Sequence, residues 1–105
     1  MEVARFVLGI DAGGTAVKAG AYGLDGEELG LASRLLRPIT PAPGHAERNA
    51  EVLWRSVCEV IRAVLADAAL VPDDVGAVGI TGYGNGIYLL DSSGQPLVNG
   101  LLSST

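Results

Sequence analysis

Apolar residues fall in separated blocks along the chain, and the spacing within each block differs. In FVLGID (residues 6–11) a short apolar run ends on Asp11, the pattern of a buried strand with a carboxylate at its tip. After the turn AGGT, TAVKAGAY (15–22) is rich in small and β-branched residues and reads as a second strand. GLDGEE follows, with Asp25-Gly26 as a hairpin signal, because glycine accepts the positive φ such a turn needs. ELGLASRLLR (28–37) is then a third strand, so the first 37 residues predict a three-stranded antiparallel meander.

PITPAPGHAERN (38–49) breaks the pattern with Pro38, Pro41, Pro43 and Gly44 and reads as loop. Asn49 suits a helix N-cap, its side-chain oxygen accepting a free backbone N–H of the first turn. Leu53, Val57, Val60, Ile61, Val64, Leu65 and Ala68 then fall on one helical stripe, with Glu51, Arg55, Glu59, Arg62 and Asp67 mainly elsewhere. Trp54 and Cys58 are expected in the helix core. Pro72 ends the helix or opens the next turn. VGAVGITG (75–82) predicts another buried strand, running into GYGNG, and IYLLD and PLVNG flank SSGQ as a second hairpin.

Composition narrows the function classes. Hydrophobic residues make up 49% of the 105, and mean hydropathy is +0.36, yet no apolar stretch approaches the ~18 residues of a membrane span. Apolar richness without a span implies surface covered by more protein, so self-association through exposed sheet, or a homo-oligomer, is expected. MEVARF lacks a secretory signal's basic start and following apolar block, and the single Cys58, unable to form an internal disulfide, fits a reducing cytoplasm. Net charge is −5 and the seven bases are scattered, leaving no basic stripe for a nucleic-acid backbone. One cysteine and one histidine exclude a structural zinc site.

The chemistry concentrates in the first turn. Gly13, Gly14 and Thr15 can offer backbone N–H groups and a hydroxyl to an anion. Asp11 beside a phosphate would repel it unless a divalent cation lies between, so Asp11 suits Mg²⁺ held partly through waters. Lys18 supplies a compact positive charge, on a strand face shared with Ala16, Gly20 and Tyr22. This is no P-loop or Rossmann turn, since both of those open a helix and this turn leads into a strand. A plain tight hairpin remains the alternative at this level.

Taken together, LGIDAGGTAVKAGAYGLDGE, PAPGHAERNAEVLW and VGAVGITGYGNGIYLLDSSGQPLVNGLLSS occur in the order and spacing of the FGGY carbohydrate kinases. The chain resembles that family over almost its whole length, and most of all its L-xylulose kinase branch. The resemblance implies the α/β, ribonuclease H-like fold of actin and hexokinase, here its N-terminal portion: a mixed sheet with one main helix. It implies ATP-dependent phosphorylation of a hydroxyl on a ketopentose or related polyol. Asp11 would position Mg²⁺, while Gly13, Gly14, Thr15 and Lys18 line the ATP phosphates. Tyr83, Gly84 and Asn85 would face the sugar, Asn85 standing where many pentulose kinases have histidine. His45 and Ser103 replace common tryptophans, His45 being expected as a structural loop residue, and Glu47 matches an acid of the family pattern.

Relatives are several times longer, and their general-base aspartate and adenosine pocket lie beyond the region matched. Residues 1–105 are therefore expected to be a truncated first domain with the second absent, inactive alone and with no catalytic residue of its own. Two other readings stay open. One is a different acetate- and sugar-kinase-like enzyme, such as an N-acetylglucosamine kinase; the other is a non-enzymatic domain that binds a ligand through GYGNG.

Overall fold

In a computed structural model, which describes residues 5–103, the chain forms a four-stranded mixed sheet backed by one long helix. The strands are β1 (Phe6–Ala12), β2 (Ala16–Gly23), β3 (Glu28–Leu35), β4 (Ala46–Arg48), β5 (Val75–Gly82) and β6 (Gly100–Leu102), with helix α1 at Ala50–Asp67. The main sheet runs β3-β2-β1-β5, with β1 antiparallel to β2, β2 antiparallel to β3, and β5 parallel to β1. The predicted meander is present. Its β2–β3 turn places Gly26 at φ 92°, the left-handed conformation for which glycine is suited, and the Asp25 carboxylate accepts from the Glu27 N–H at 3.0 Å.

Helix α1 starts where the sequence predicts. Asn49 is in an extended conformation, and its side-chain oxygen accepts from the Val52 N–H at 3.0 Å. The helix lays its stripe across β2 and β3. Val60 and Val64 are buried against Phe6, Leu8, Val17, Ala19 and Ala21, with Leu53, Val57, Ile61 and Leu65 packed around them. Alternation along β1 and β2 decides the two faces. Leu8, Ile10, Val17 and Ala19 turn inward, so Gly9, Asp11, Lys18 and Gly20 occupy the face away from the helix.

Four expectations are corrected. β5 is a strand as expected but not a buried one: α1 covers β2 and β3, leaving Val78 51% and Ile80 73% exposed. Trp54 is 64% exposed and Cys58 only half-buried, because the helix rests on Val60 and Val64 and turns Trp54 off the sheet. The segment 38–49 is not all loop: Ala46–Arg48 forms β4, antiparallel to β6, with Ile39 exchanging two backbone bonds with Glu47 at 2.8 Å each. The second hairpin closes through single bridges, Leu90–Pro96 and Ile87–Leu101, rather than paired strands. Its turn is held by the Asp91 carboxylate instead.

The Cα radius of gyration is 15.9 Å, against roughly 13 Å for a compact domain of this length. The excess comes with extents of 50 × 30 × 20 Å and apolar side chains left on the surface of β5 and of residues 87–101.

Candidate functional site

Parallel pairing of β1 and β5 brings two carboxyl-terminal strand ends together, Ala12 beside Gly82. In open α/β sheets the crevice outside such ends is where ligands bind. The turn at residues 13–15 leaves one of these ends and the loop at 83–85 leaves the other. Asp11 lies between Lys18 of β2 and Thr81 of β5 in register, and Ser33 of β3 continues the row beyond Lys18. One step back along the strands the row is Leu31, Gly20, Gly9 and Gly79. These rows, apart from Ser33 and together with Tyr22, line an open trough of about 480 Å³. Its floor is low because three of its strands carry glycine there.

The turn itself is built from the backbone outward. The Gly13 N–H donates to the Ala16 carbonyl at 3.0 Å, closing it. Arg48, only 2% exposed, reaches it from β4: Nη1 donates to the Gly13 carbonyl at 2.9 Å, and Nη2 to the Gly14 carbonyl at 2.7 Å and the Leu36 carbonyl at 2.6 Å. The Leu36 N–H donates to the Thr15 carbonyl at 2.8 Å. Three consecutive carbonyls are thereby held from inside. In a trans peptide the C=O of one residue and the N–H of the next point oppositely. With the Gly13 and Gly14 carbonyls drawn toward Arg48, the Gly14 and Thr15 N–H groups are aimed away from it. Among the described residues neither has a backbone acceptor. Two successive outward amides without protein acceptors could receive an anion.

The loop after β5 is tied to the same place. The Tyr83 N–H donates to the Ala12 carbonyl at 3.0 Å, and the Tyr83 ring lies 3.3 Å from where a Cβ on Gly14 would be. Its hydroxyl is engaged by Ser103, donating to the backbone carbonyl at 3.1 Å and meeting the side-chain oxygen. Gly84 and Asn85 follow on the surface. The predicted residues thus collect at one end of the sheet: Asp11, Gly13, Gly14, Thr15 and Lys18 on one side, Tyr83, Gly84 and Asn85 on the other. His45 is exposed in its proline-rich loop. Glu47 accepts from the Asn99 side chain at 3.2 Å and so braces β4 against the segment leading into β6.

Arg48 is the residue that sequence reasoning missed. Counted among scattered bases, it carried no signal beyond its place in PGHAERN, because its partners are carbonyls rather than acids. Among the described residues Asp11 belongs to no group of three metal-ligating side chains. A single carboxylate beside two outward amides is compatible with Mg²⁺, which keeps several waters and takes further oxygens from phosphates.

Residues 6–105 match the FGGY family of carbohydrate kinases, N-terminal domain. The chain is 39% identical over 100 residues to the L-xylulose/3-keto-L-gulonate kinase of Escherichia coli (strain K12), a match covering 95% of this chain and 20% of that protein. It is 35% identical over 100 residues to a probable L-xylulose kinase of Haemophilus influenzae, again over 95% of this chain but 21% of the relative. Among solved structures, xylulose kinase from Rhodospirillum rubrum superposes with a TM-score of 0.85 at 28% identity, covering 93% of this chain and 20% of that one. Plasmodium falciparum glycerol kinase with ADP shares the fold at a TM-score of 0.76 and 16% identity, over 97% of this chain and 21% of its own. The chain spans about a fifth of the length of these relatives.

Proposed function

The chain belongs to the FGGY family of carbohydrate kinases, and we propose that it forms the phosphate-binding opening of an ATP-dependent sugar kinase acting on a ketopentose or related polyol. Its fold is the first portion of the ribonuclease H-like ATPase fold of actin and hexokinase. The observation that carries the proposal is the outward aim of the Gly14 and Thr15 amides beside Asp11 and Lys18 at the carboxyl ends of β1 and β5.

In this reading the two amides and the Thr15 hydroxyl receive phosphate oxygens of ATP, and Lys18 adds a point charge on the same face. Asp11 would hold Mg²⁺ beside those phosphates. When bound, the ion neutralises charge on the phosphates during transfer. Asn85, exposed at the neighbouring loop, offers two donors and an acceptor, enough to read a polyol without a charge. The Tyr83 hydroxyl is occupied by Ser103, so Tyr83 acts mainly through its ring, which spans the turn and the sugar-facing loop. The names of the relatives support a ketopentose. The match over residues 6–105 favours this family over an N-acetylglucosamine kinase.

The proton acceptor for the sugar hydroxyl lies, by the family resemblance, further along the polypeptide, in the same enlarged first domain. The 105 residues alone are therefore expected to be inactive. No helix of the described residues is long and apolar enough to cross a membrane.

The test is ADP release by the full-length protein with MgATP and a panel of pentuloses, hexuloses and polyols. Preference for a ketopentose supports the proposal. A folded protein that binds MgATP but prefers glycerol or a hexulose corrects the substrate, and one that binds no nucleotide overturns the phosphate site.

A further inference from the structure

We propose that Arg48 is a positioning residue for the nucleotide: it sets the aim of the Gly14 and Thr15 amides and places a fixed positive charge beneath the anion they bind. The proposal rests on the phosphate reading of the turn.

Three observations carry it. Arg48 is almost wholly buried, and its two terminal nitrogens donate to the Gly13, Gly14 and Leu36 carbonyls. Its Nε is buried without a partner, and none of the ion pairs among the described residues includes it. A buried cation without a carboxylate is costly to keep, and a polyanion close by would offset part of that cost. An oxygen accepting from the Thr15 amide would sit roughly 8 Å from the guanidinium, one peptide width and two hydrogen bonds away. The guanidinium end of that line is buried, so screening is weaker there than between two exposed charges.

The fork geometry matters as much as the charge. Two guanidinium nitrogens reach two successive carbonyls, which fixes both peptide planes at once. A lysine ammonium is one point on a flexible stem and cannot hold both planes in the same way. Leu36 adds a mechanical link, since its carbonyl accepts from Arg48 while its N–H holds Thr15. The turn, the end of β3 and β4 are thus clamped together by one side chain that no ligand need touch.

The experiment compares wild type, Arg48→Lys and Arg48→Met in the full-length protein, measuring kcat, KM for sugar and affinities for MgATP and adenosine. Arg48→Met should weaken MgATP at least tenfold while leaving adenosine affinity and KM for sugar nearly unchanged. Arg48→Lys should recover only part of the loss. A folded Arg48→Lys or Arg48→Met protein with wild-type MgATP affinity overturns the proposal. So does equal weakening of MgATP and adenosine, which marks general damage.

Should both variants fail to fold, wild-type protein with ¹⁵N-labelled glycine and threonine decides. On adding inorganic pyrophosphate, the Gly14 and Thr15 amides should shift and the Gly13 amide, bonded to Ala16, should not. Indiscriminate shifts overturn the proposal, and absent shifts overturn it together with the phosphate reading it rests on. If wild type binds no MgATP, the phosphate reading itself has failed; if it binds and the variants match it, only the role of Arg48 has.

Discussion

Asp11 and Lys18 are direct partners across the β1–β2 ladder, yet neither takes part in an ion pair among the described residues. Directly opposed side chains in a ladder have Cβ atoms about 5 Å apart, near enough to feel one another. Both are exposed on the open face of the sheet, where Thr81 flanks Asp11 and Ser33 flanks Lys18. Opposite charges held side by side without closing on each other stay available to a ligand carrying both signs. A magnesium-phosphate unit is such a ligand.

Lys18→Met should therefore weaken MgATP in the full-length protein without unfolding it. A lost charge-assisted contact is worth about 1.5–3 kcal/mol, or roughly 10- to 150-fold in affinity. Asp11→Asn should lower kcat by about 100-fold or more and raise the Mg²⁺ concentration needed for half-maximal rate. Steady-state kinetics across a magnesium series checks both. Wild-type magnesium dependence in Asp11→Asn would remove Asp11 from the metal site.

The glycines flooring the trough are not equivalent. A Cβ on Gly20 would lie 2.6 Å from the Tyr22 hydroxyl and 2.9 Å from a Leu31 methyl, so Gly20→Ala must displace both side chains. Gly20→Ala should destabilise the 105-residue chain by about 1–3 kcal/mol. Gly79 has nothing within 4 Å of the same position, and Gly79→Ala should be neutral or gain up to about 1 kcal/mol from lower unfolded-state entropy. Urea melts of the two variants should differ in sign or nearly so.

Why these features differ in legibility follows from what each depends on. The meander, the Asn49 cap and the helical stripe are local: Asp25-Gly26 sets a turn, and Val60 and Val64 sit one helical turn apart whatever lies around them. The strand end at Asp11, the turn after it and the strand carrying Lys18 could be read for the same reason. Arg48 could not, because its role arises only when β4 pairs with β6 across about fifty residues and carries it beneath the turn. The exposure of Ile80 was equally hidden. An apolar run shows that a strand expects cover, and only the reach of α1 shows which strand lacks it.

That missing cover has a consequence in solution. Val78 and Ile80 pair in register with Leu8 and Ile10, so they lie on the helix side of the sheet but beyond the helix. The outer edge of β5 has no neighbouring strand among the described residues. An exposed edge with apolar side chains is a template for pairing. The 105-residue chain should self-associate at micromolar concentrations, and Ile80→Lys should raise the dissociation constant about tenfold or more, since burying one isoleucine is worth roughly 1.5–3 kcal/mol. Sedimentation over a concentration series reads this directly, and a monomer at every concentration would contradict it.

Asp91 gives the fold an acid-sensitive turn. Its Oδ1 accepts from the Gln95 N–H at 2.9 Å, the Ser93 hydroxyl at 2.8 Å and the Ser93 N–H at 2.9 Å. These bonds, that from the Gln95 backbone first, favour the ionised form and hold the carboxyl below the ordinary 3.8 of an aspartate. A pKa lowered on folding means that the unfolded chain binds the proton more readily. The stabilisation is thus fully present above about 3.8 and is lost as pH falls through the lower folded value. Asp91→Asn, which cannot ionise, should be less stable than wild type near neutrality, and the difference should shrink on acidification. Thermal melts of both proteins from pH 7 downward test this. A difference that stays constant with pH would show that the turn gains nothing from the charge on Asp91.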